Sequence, residues 1–405
     1  MLTYEQALKR ILEHSPSPRA AHVSLREALG LVLAQRITAP LDLPPFDNSA
    51  VDGYAVCVPN EGGAPSTTIP ISFAVVGCAS AGSPYRGAVR PGEAVRILTG
   101  AMVPPGTDGI VMQEQVNRDG DRVLLERWPD RGRHIRRRGE DLRRGARVLE
   151  AGTRLRPQEI GLLAALGYRR VPVYLPPSIA ILTTGDELQQ PGARLKPGHI
   201  YESNGALLAA LVTHEGARAV RLARVRDVFQ PLVARIRRGL RHDVLLVAGG
   251  VSVGEKDLVR AALKACGVKE VFWQVNIKPG MPLVFGTRGR TLVFGLPGNP
   301  VSVFVTFEEF VKPALCRLMG QRWRDGYAEP AVLVADLQVS ATRRTHFLRV
   351  RCSAHNQLVA EPLNGQASHQ LRSLVEAEGW IRVISNEGPW PAGTQVLVKR
   401  EPTRW

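Results

Sequence analysis

Three apolar runs constrain the fold of this chain more than any other feature in it. Ile179-Ala180-Ile181-Leu182 stops at Thr183-Thr184-Gly185-Asp186-Glu187-Leu188. Asp243-Val244-Leu245-Leu246-Val247 stops at Gly249-Gly250-Val251-Ser252-Val253-Gly254-Glu255-Lys256-Asp257. Thr291-Leu292-Val293-Phe294 stops at Leu296-Pro297-Gly298-Asn299-Pro300-Val301-Ser302. Segments with helical spacing lie between them. Short β-type runs alternating with helices predict a parallel sheet. Ligands of such sheets bind outside the carboxyl ends of the strands. All three polar, glycine-containing motifs fall at that edge, which is therefore the expected active site.

A chain of 405 residues exceeds one ordinary core, so several domains are expected. With 44% hydrophobic and 22% charged residues it is globular. No apolar run reaches the ~18 residues of a membrane span. Met1-Leu2-Thr3-Tyr4-Glu5 lacks the basic-then-apolar pattern of a signal peptide. The cysteines (Cys57, Cys78, Cys266, Cys316, Cys352) have neither metal-knuckle nor redox spacing, which fits a cytoplasmic protein with reduced thiols.

The formal net charge is +16, and residues 127–147 alone carry nine arginines against Asp130, Glu140 and Asp141. Such a field favours anionic partners. No aromatic interleaving or nucleic-acid motif accompanies it, so a small, multiply charged anion is the expected ligand rather than nucleic acid. A solvated basic surface is the plainer alternative.

Taken in order, residues 4–14 have helical spacing and a second helix is expected over 25–35. Pro40, Pro44 and Pro45 then force extended or turn backbone. From 59 to 138 glycine, proline and β-branched residues dominate, as in a β-rich insertion. Residues 157–167 form a helix with Pro157 at its start and Gly167 past its end. Pro176-Pro177 leads into the α/β segment, and 330–405 reads as a small all-β domain. The expected subunit therefore has four domains: a discontinuous one over 1–47 and 139–176, a β-rich one over 48–138, a central α/β domain over 177–322, and an all-β one over 323–405.

Gly249-x4-Gly254-Glu255-Lys256 departs from a nucleotide-triphosphate loop, in which lysine follows the second glycine directly. Its glycines still let backbone amides approach an anion. Asn299-Pro300 has the form of a helix start, with asparagine as the cap. Asp186, Glu187, Asp243 and Asp257 are expected to gather at one sheet edge. Carboxylates in a site built for anions imply a divalent cation, and Mg²⁺ prefers oxygen ligands.

Seven strings occur in one order: Phe-Asp-Asn-Ser-Ala-x-Asp-Gly-Tyr-Ala, Thr-Gly-Ala, Ile-Arg-Arg-Arg-Gly-Glu-Asp, Thr-Gly-Asp-Glu-Leu, Gly-Gly-Val-Ser-Val-Gly, Lys-Pro-Gly and Leu-Pro-Gly-Asn-Pro-Val-Ser. Together they resemble the MoeA family of molybdopterin molybdenumtransferases, to which the C-terminal domain of gephyrin is similar. The resemblance spans essentially the whole chain. It implies an enzyme that inserts molybdate into adenylated molybdopterin, releases AMP and uses Mg²⁺. It also implies an elongated four-domain homodimer with an active site shared between subunits, and as protein partners an adenylyltransferase or apo-molybdoenzymes. By motif it carries activity onto Asp52, Thr99, Glu187, Asp243, Asp257 and Lys278, with Glu187, Asp243 and Asp257 on the metal. Arg137, Asp141, Gly249, Gly250, Ser252, Pro297, Gly298, Asn299 and Pro300 would bind the cofactor precursor. Ser302, Arg349 and Ser368 are further candidates for the molybdate pocket. Met281 and Gln274 stand where many or some relatives have lysine. Two rivals remain at this point: a molybdopterin adenylyltransferase, whose fold resembles the central domain alone, and a scaffold of the gephyrin type.

Overall fold

A computed structural model describes residues 1–58, 70–251, 258–337, 339, 343–354, 357–384 and 387–400. Its internal contacts divide the chain into two units. One comprises 24–29 and 35–171, the other 1–23, 30–34 and 172–405.

The unit made of 24–29 and 35–171 is built on a six-stranded sheet. Its order is Gly109–Met112, Gly53–Val56, Glu93–Ile97, Ile71–Ala79, Arg122–Leu125, Val116–Asp119. Side chains alternate across these strands, and both faces are covered. Tyr54, Val56, Phe73 and Leu125 bury one face, while Ala55, Val95, Ile97 and Ile110 bury the other. Both faces being apolar explains why 59–138 shows continuous β-type composition rather than strict alternation. The expected helix at 157–167 is present as Pro157–Ala165, with Gly167 at φ +80° beyond its end. The helix expected over 25–35 ends at Ala28, and Val32–Leu33 is a strand. Gly30 at φ +79° breaks the helical path, which the apolar spacing alone does not reveal.

The other unit contains a six-stranded sheet ordered Arg218–Arg221, Ser178–Thr183, Val244–Ala248, Thr291–Leu296, Val284–Arg288, Lys269–Trp273. The first four strands are parallel, as expected, whereas the last two join antiparallel. Helices cover both faces, which is why the central strands are apolar throughout. The helix Tyr4–His14, with a Thr3–Gln6 capping box, buries Tyr4, Ala7, Leu8 and Ile11 in the core of this unit. Contacts thus attach residues 1–23 to the α/β body.

The all-β end is a barrel. Thr345–Ala354, Leu358–Pro362, Glu329–Leu333, Gln395–Arg400 and Gly379–Ile384 pair in that order, and the last pairs back on the first. A sixth short strand, Ile277–Lys278, comes from the α/β body and runs parallel to the barrel strand, with Ile277 opposite Thr345 and Lys278 opposite His346. Five cysteines are free, and no helix among the described residues is long and apolar enough to cross a membrane.

Candidate active site

The three predicted motifs do meet at the carboxyl edge of the parallel strands. Thr184 N donates to Ala248 O at 3.1 Å and Gly249 N to Leu296 O at 3.1 Å, so consecutive strand ends are tied together. Gly249 and Gly250 have φ of +99° and +63°. A Cβ on Gly249 would lie 2.5 Å from Thr184 O, and one on Gly250 would lie 2.8 Å from Val259 Cγ2. Only glycine fits both the backbone and the space. Ser252 and Asp257 lie outside the described residues.

The carboxylates do not all gather as expected. Asp243 lies at the opposite, amino edge. Its Oδ2 accepts from Ser178 N at 2.8 Å and Ser178 Oγ at 2.9 Å, and Oδ1 faces Arg19 at 3.2 Å. Asp243 precedes its strand, whereas the motif that follows the strand is at the other end, roughly 16 Å away at ~3.3 Å per residue. The residue missed by sequence reading is Asp227. Val225 bridges Thr184, which extends the sheet edge, and Asp227 Oδ1 accepts from Thr184 Oγ1 at 2.5 Å. Beside it Asp186 pairs with Arg226 at 3.0 Å, and Glu187 is exposed. The signal was available: Ala219-Val220 opens a fourth apolar run, and Asp227 stands after it as Glu187 does after the first.

A cavity of about 640 Å³ opens between the α/β body and the barrel. Lys278, Pro297, Asn299, Ser302 and Ser368, all expected in the site, line it, together with Met281. Arg344, His346 and Gln366 complete the polar wall, and no carboxylate lines it among the described residues. Asn299 stands at the N-cap with Pro300 at the first helical position, as expected, but its side chain makes no capping bond. Its Nδ2 donates to Ser368 Oγ at 2.9 Å, and Val301 N donates to Ser368 O at 3.1 Å, which pins the barrel loop to the start of the helix Pro300–Thr306. Gly298 O accepts from Asn204 Nδ2 at 2.7 Å.

Arg349 stands behind the Gln366 wall. Its side chain is 0% exposed, yet Nη2 donates only to Gly365 O at 2.9 Å, and Nε and Nη1 have no partner among the described residues. Burial pulls its pKa down to about 10, which still leaves it charged at neutral pH. His346, 3% exposed, is pulled down to about 4 by burial and by the neighbouring Lys278 and Arg344 charges, so its imidazole is neutral.

The remaining candidates belong to the unit made of 24–29 and 35–171. Asp52 Oδ1 accepts from Thr99 N and Thr99 Oγ1, both at 2.7 Å, and these bonds hold its carboxyl below the usual range. The two residues predicted to act together are thus in contact. Arg137 Nη1 donates to Asp47 Oδ2 at 2.7 Å, and Arg137 N to Glu140 Oε2 at 2.7 Å. Asp141 is held through its backbone, with its side chain exposed.

Comparisons with known proteins identify the family. Residues 2–167 match the model of the MoeA N-terminal region (domain I and II). Residues 180–317 match that of a probable molybdopterin binding domain, and 333–400 that of the MoeA C-terminal region (domain IV). A molybdopterin molybdenumtransferase of Haemophilus influenzae is 35% identical over 98% of each chain. That of Bacillus subtilis is 32% identical over 98% of this chain and 94% of its own. The crystal structure of a molybdopterin biosynthesis MoeA protein from Pyrococcus horikoshii aligns with 99% of each chain at 30% identity and a TM-score of 0.84. The chain therefore belongs to the MoeA family of molybdopterin molybdenumtransferases.

Proposed function

We propose that this protein inserts molybdate into adenylated molybdopterin with release of AMP. The observation that carries the reading is the carboxylate-free cavity of about 640 Å³ beside the fully buried, under-bonded Arg349 guanidinium. A buried charge without partners is costly unless a ligand supplies them. A tetrahedral oxyanion does so, because charge-assisted hydrogen bonds to arginine and lysine are the strong ones. Lys278, Arg344 and Arg349 offset its charge, while Ser302, Ser368 and Asn299 offer neutral hydrogen bonds.

The carboxyl edge suits the phosphate end of the precursor. The close approach of backbone at Gly249 and Gly250 and the polar loop at Pro297-Gly298 leave room for a phosphoanhydride. Glu187 and Asp227 offer hard oxygen donors there, a set that suits Mg²⁺ bound through one or two carboxylates plus substrate phosphates. When bound, Mg²⁺ would polarise the phosphoanhydride and favour loss of AMP. No group of three or more metal-ligating side chains occurs among the described residues, which fits an ion held largely by substrate. Asp52, already ionised and oriented by Thr99, would act on a second subunit's substrate in a homodimer with shared sites.

A molybdopterin adenylyltransferase reading is disfavoured because the barrel supplies Arg344, His346, Gln366 and Ser368, about half of the cavity wall. A central α/β domain alone would lack it. The test is incubation with adenylated molybdopterin and either molybdate or tungstate. Oxyanion-dependent AMP release is expected, and consumption of ATP to adenylate molybdopterin would overturn the reading. For the shared site, an Asp52→Ala subunit mixed with an Asp227→Ala subunit should regain activity. No recovery, with subunit exchange demonstrated, means each subunit acts alone.

A further inference from the structure

Resting on that oxyanion cavity, we propose that His346 takes up a proton when the oxyanion binds and meets it as an imidazolium, so that loading of this site is proton-linked. The geometry places the ring among cations. His346 is directly opposite Lys278 in a parallel pair, and side chains at paired positions share a face. Both line the cavity with Arg344. On the other flank the strand Gly379–Ile384 opposes His346 with Val383, which is apolar. The wall at 366–368 contributes Gln366 and Ser368, which carry no charge. Three residues along the same strand is Arg349, also cationic.

These surroundings have two consequences. In the empty cavity a protonated His346 would be one more buried cation, and burial together with Lys278 and Arg344 keeps it neutral. A bound dianion reverses the field, because an opposite charge within ~4–6 Å favours the charged form of a titrating group. Among the described residues that line the cavity, His346 carries the one neutral ring nitrogen that can accept a proton near neutral pH. The imidazolium then adds one more positive charge to the cavity wall. Met281, which occupies the same wall, offers none.

Proton-linked binding has a definite signature. Affinity for a dianion rises as pH falls, by up to tenfold per unit, between the pKa of the empty site and that of the loaded one. The test is calorimetric titration of the intact protein with molybdate in two buffers of different ionisation enthalpy, repeated from about pH 6 to about pH 8. Molybdate stays fully deprotonated there, so any linked proton enters the protein. The parent should take up a fraction of a proton that grows toward one as pH falls toward about 6, with affinity rising over the same range by up to tenfold per unit. His346→Gln, which keeps an uncharged donor, should take up none and show a flat profile. Binding that Lys278→Ala weakens but that takes up no proton overturns the role of His346 and leaves the oxyanion cavity standing. A proton still taken up by His346→Gln also overturns it. Absence of any molybdate binding to the parent overturns the cavity reading itself.

Discussion

Two clusters of buried charge in the unit that holds the barrel differ in one respect. Around Glu308 and Glu309 every charge is answered. Glu309 accepts from Tyr4 Oη at 2.9 Å, Tyr327 Oη at 3.2 Å and Lys399 Nζ at 3.1 Å. Glu308 meets Lys312 and Lys399, and Lys312 also reaches Glu215 at 2.8 Å. Burial, reinforced by Glu309, raises the Tyr4 and Tyr327 hydroxyls well above their ordinary value, and against burial the Glu309 and Glu308 carboxylates push the Lys399 ammonium up. This network joins the helix Tyr4–His14, the π turn Phe307–Val311 and the barrel strand Gln395–Arg400. Arg349, equally buried, makes one of the five hydrogen bonds its guanidinium can make, among the described residues. Paired burial fixes structure, whereas unpaired burial keeps binding capacity in reserve.

Substitution should separate the two most sharply at Arg349. Arg349→Met would remove the charge-assisted bonds proposed to the oxyanion, each ~1.5–3 kcal/mol. Molybdate-dependent AMP release should therefore fall about a hundredfold or more, while the denaturation midpoint stays level or rises. In the paired network the pattern inverts. Lys399→Met leaves buried Glu309 without a cation and should cost about 3–5 kcal/mol of stability. Turnover per folded molecule, measured below the shifted transition, should be unchanged. If Arg349→Met unfolds the protein or Lys399→Met spares it, the distinction is wrong.

The two edges of the central sheet repeat the contrast among aspartates. Asp227→Asn should lower AMP release about tenfold or more without unfolding, since it alters a carboxylate proposed to hold metal. Asp243→Asn should leave turnover alone and cost ~1–2 kcal/mol, the worth of its bonds to Ser178, in a chemical-denaturation curve.

That pair also locates what the sequence could and could not convey. Apolar runs ending in glycine motifs identified the strands and the edge where Thr184, Gly249 and Leu296 meet, because strand direction follows from chain order in a parallel sheet. The same rule, applied to Asp243 before its run, would have put it at the far edge, and applied to Ala219-Val220 would have found Asp227. The Leu25 helix was over-extended because apolar spacing continues past Gly30 while the backbone does not. The cavity itself was not legible. It depends on Ile277–Lys278 pairing with a barrel strand almost seventy residues later, a register that no local spacing encodes.

The smallest expected effect is on pH stability, away from both clusters. Arg156 holds the Glu159 carboxyl down to about 2 from 4.5, chiefly through its guanidinium hydrogen bonds. A lowered carboxyl pKa contributes stability that is fully present above 4.5 and lost as pH falls toward about 2. Glu159→Gln should therefore flatten the acid limb of a stability–pH curve slightly and lower the neutral-pH plateau by the same small amount.

The most direct test of the account is where the oxyanion sits. Crystals grown with molybdate or tungstate carry a strong anomalous scatterer. The peak is expected in the cavity, within hydrogen-bond distance of the Arg349 guanidinium or Lys278 Nζ, and it should vanish in Arg349→Met. A peak elsewhere, for instance among Arg19, Arg218 and Arg290 at the amino edge, with the Arg349 cavity empty at saturating molybdate, would contradict it.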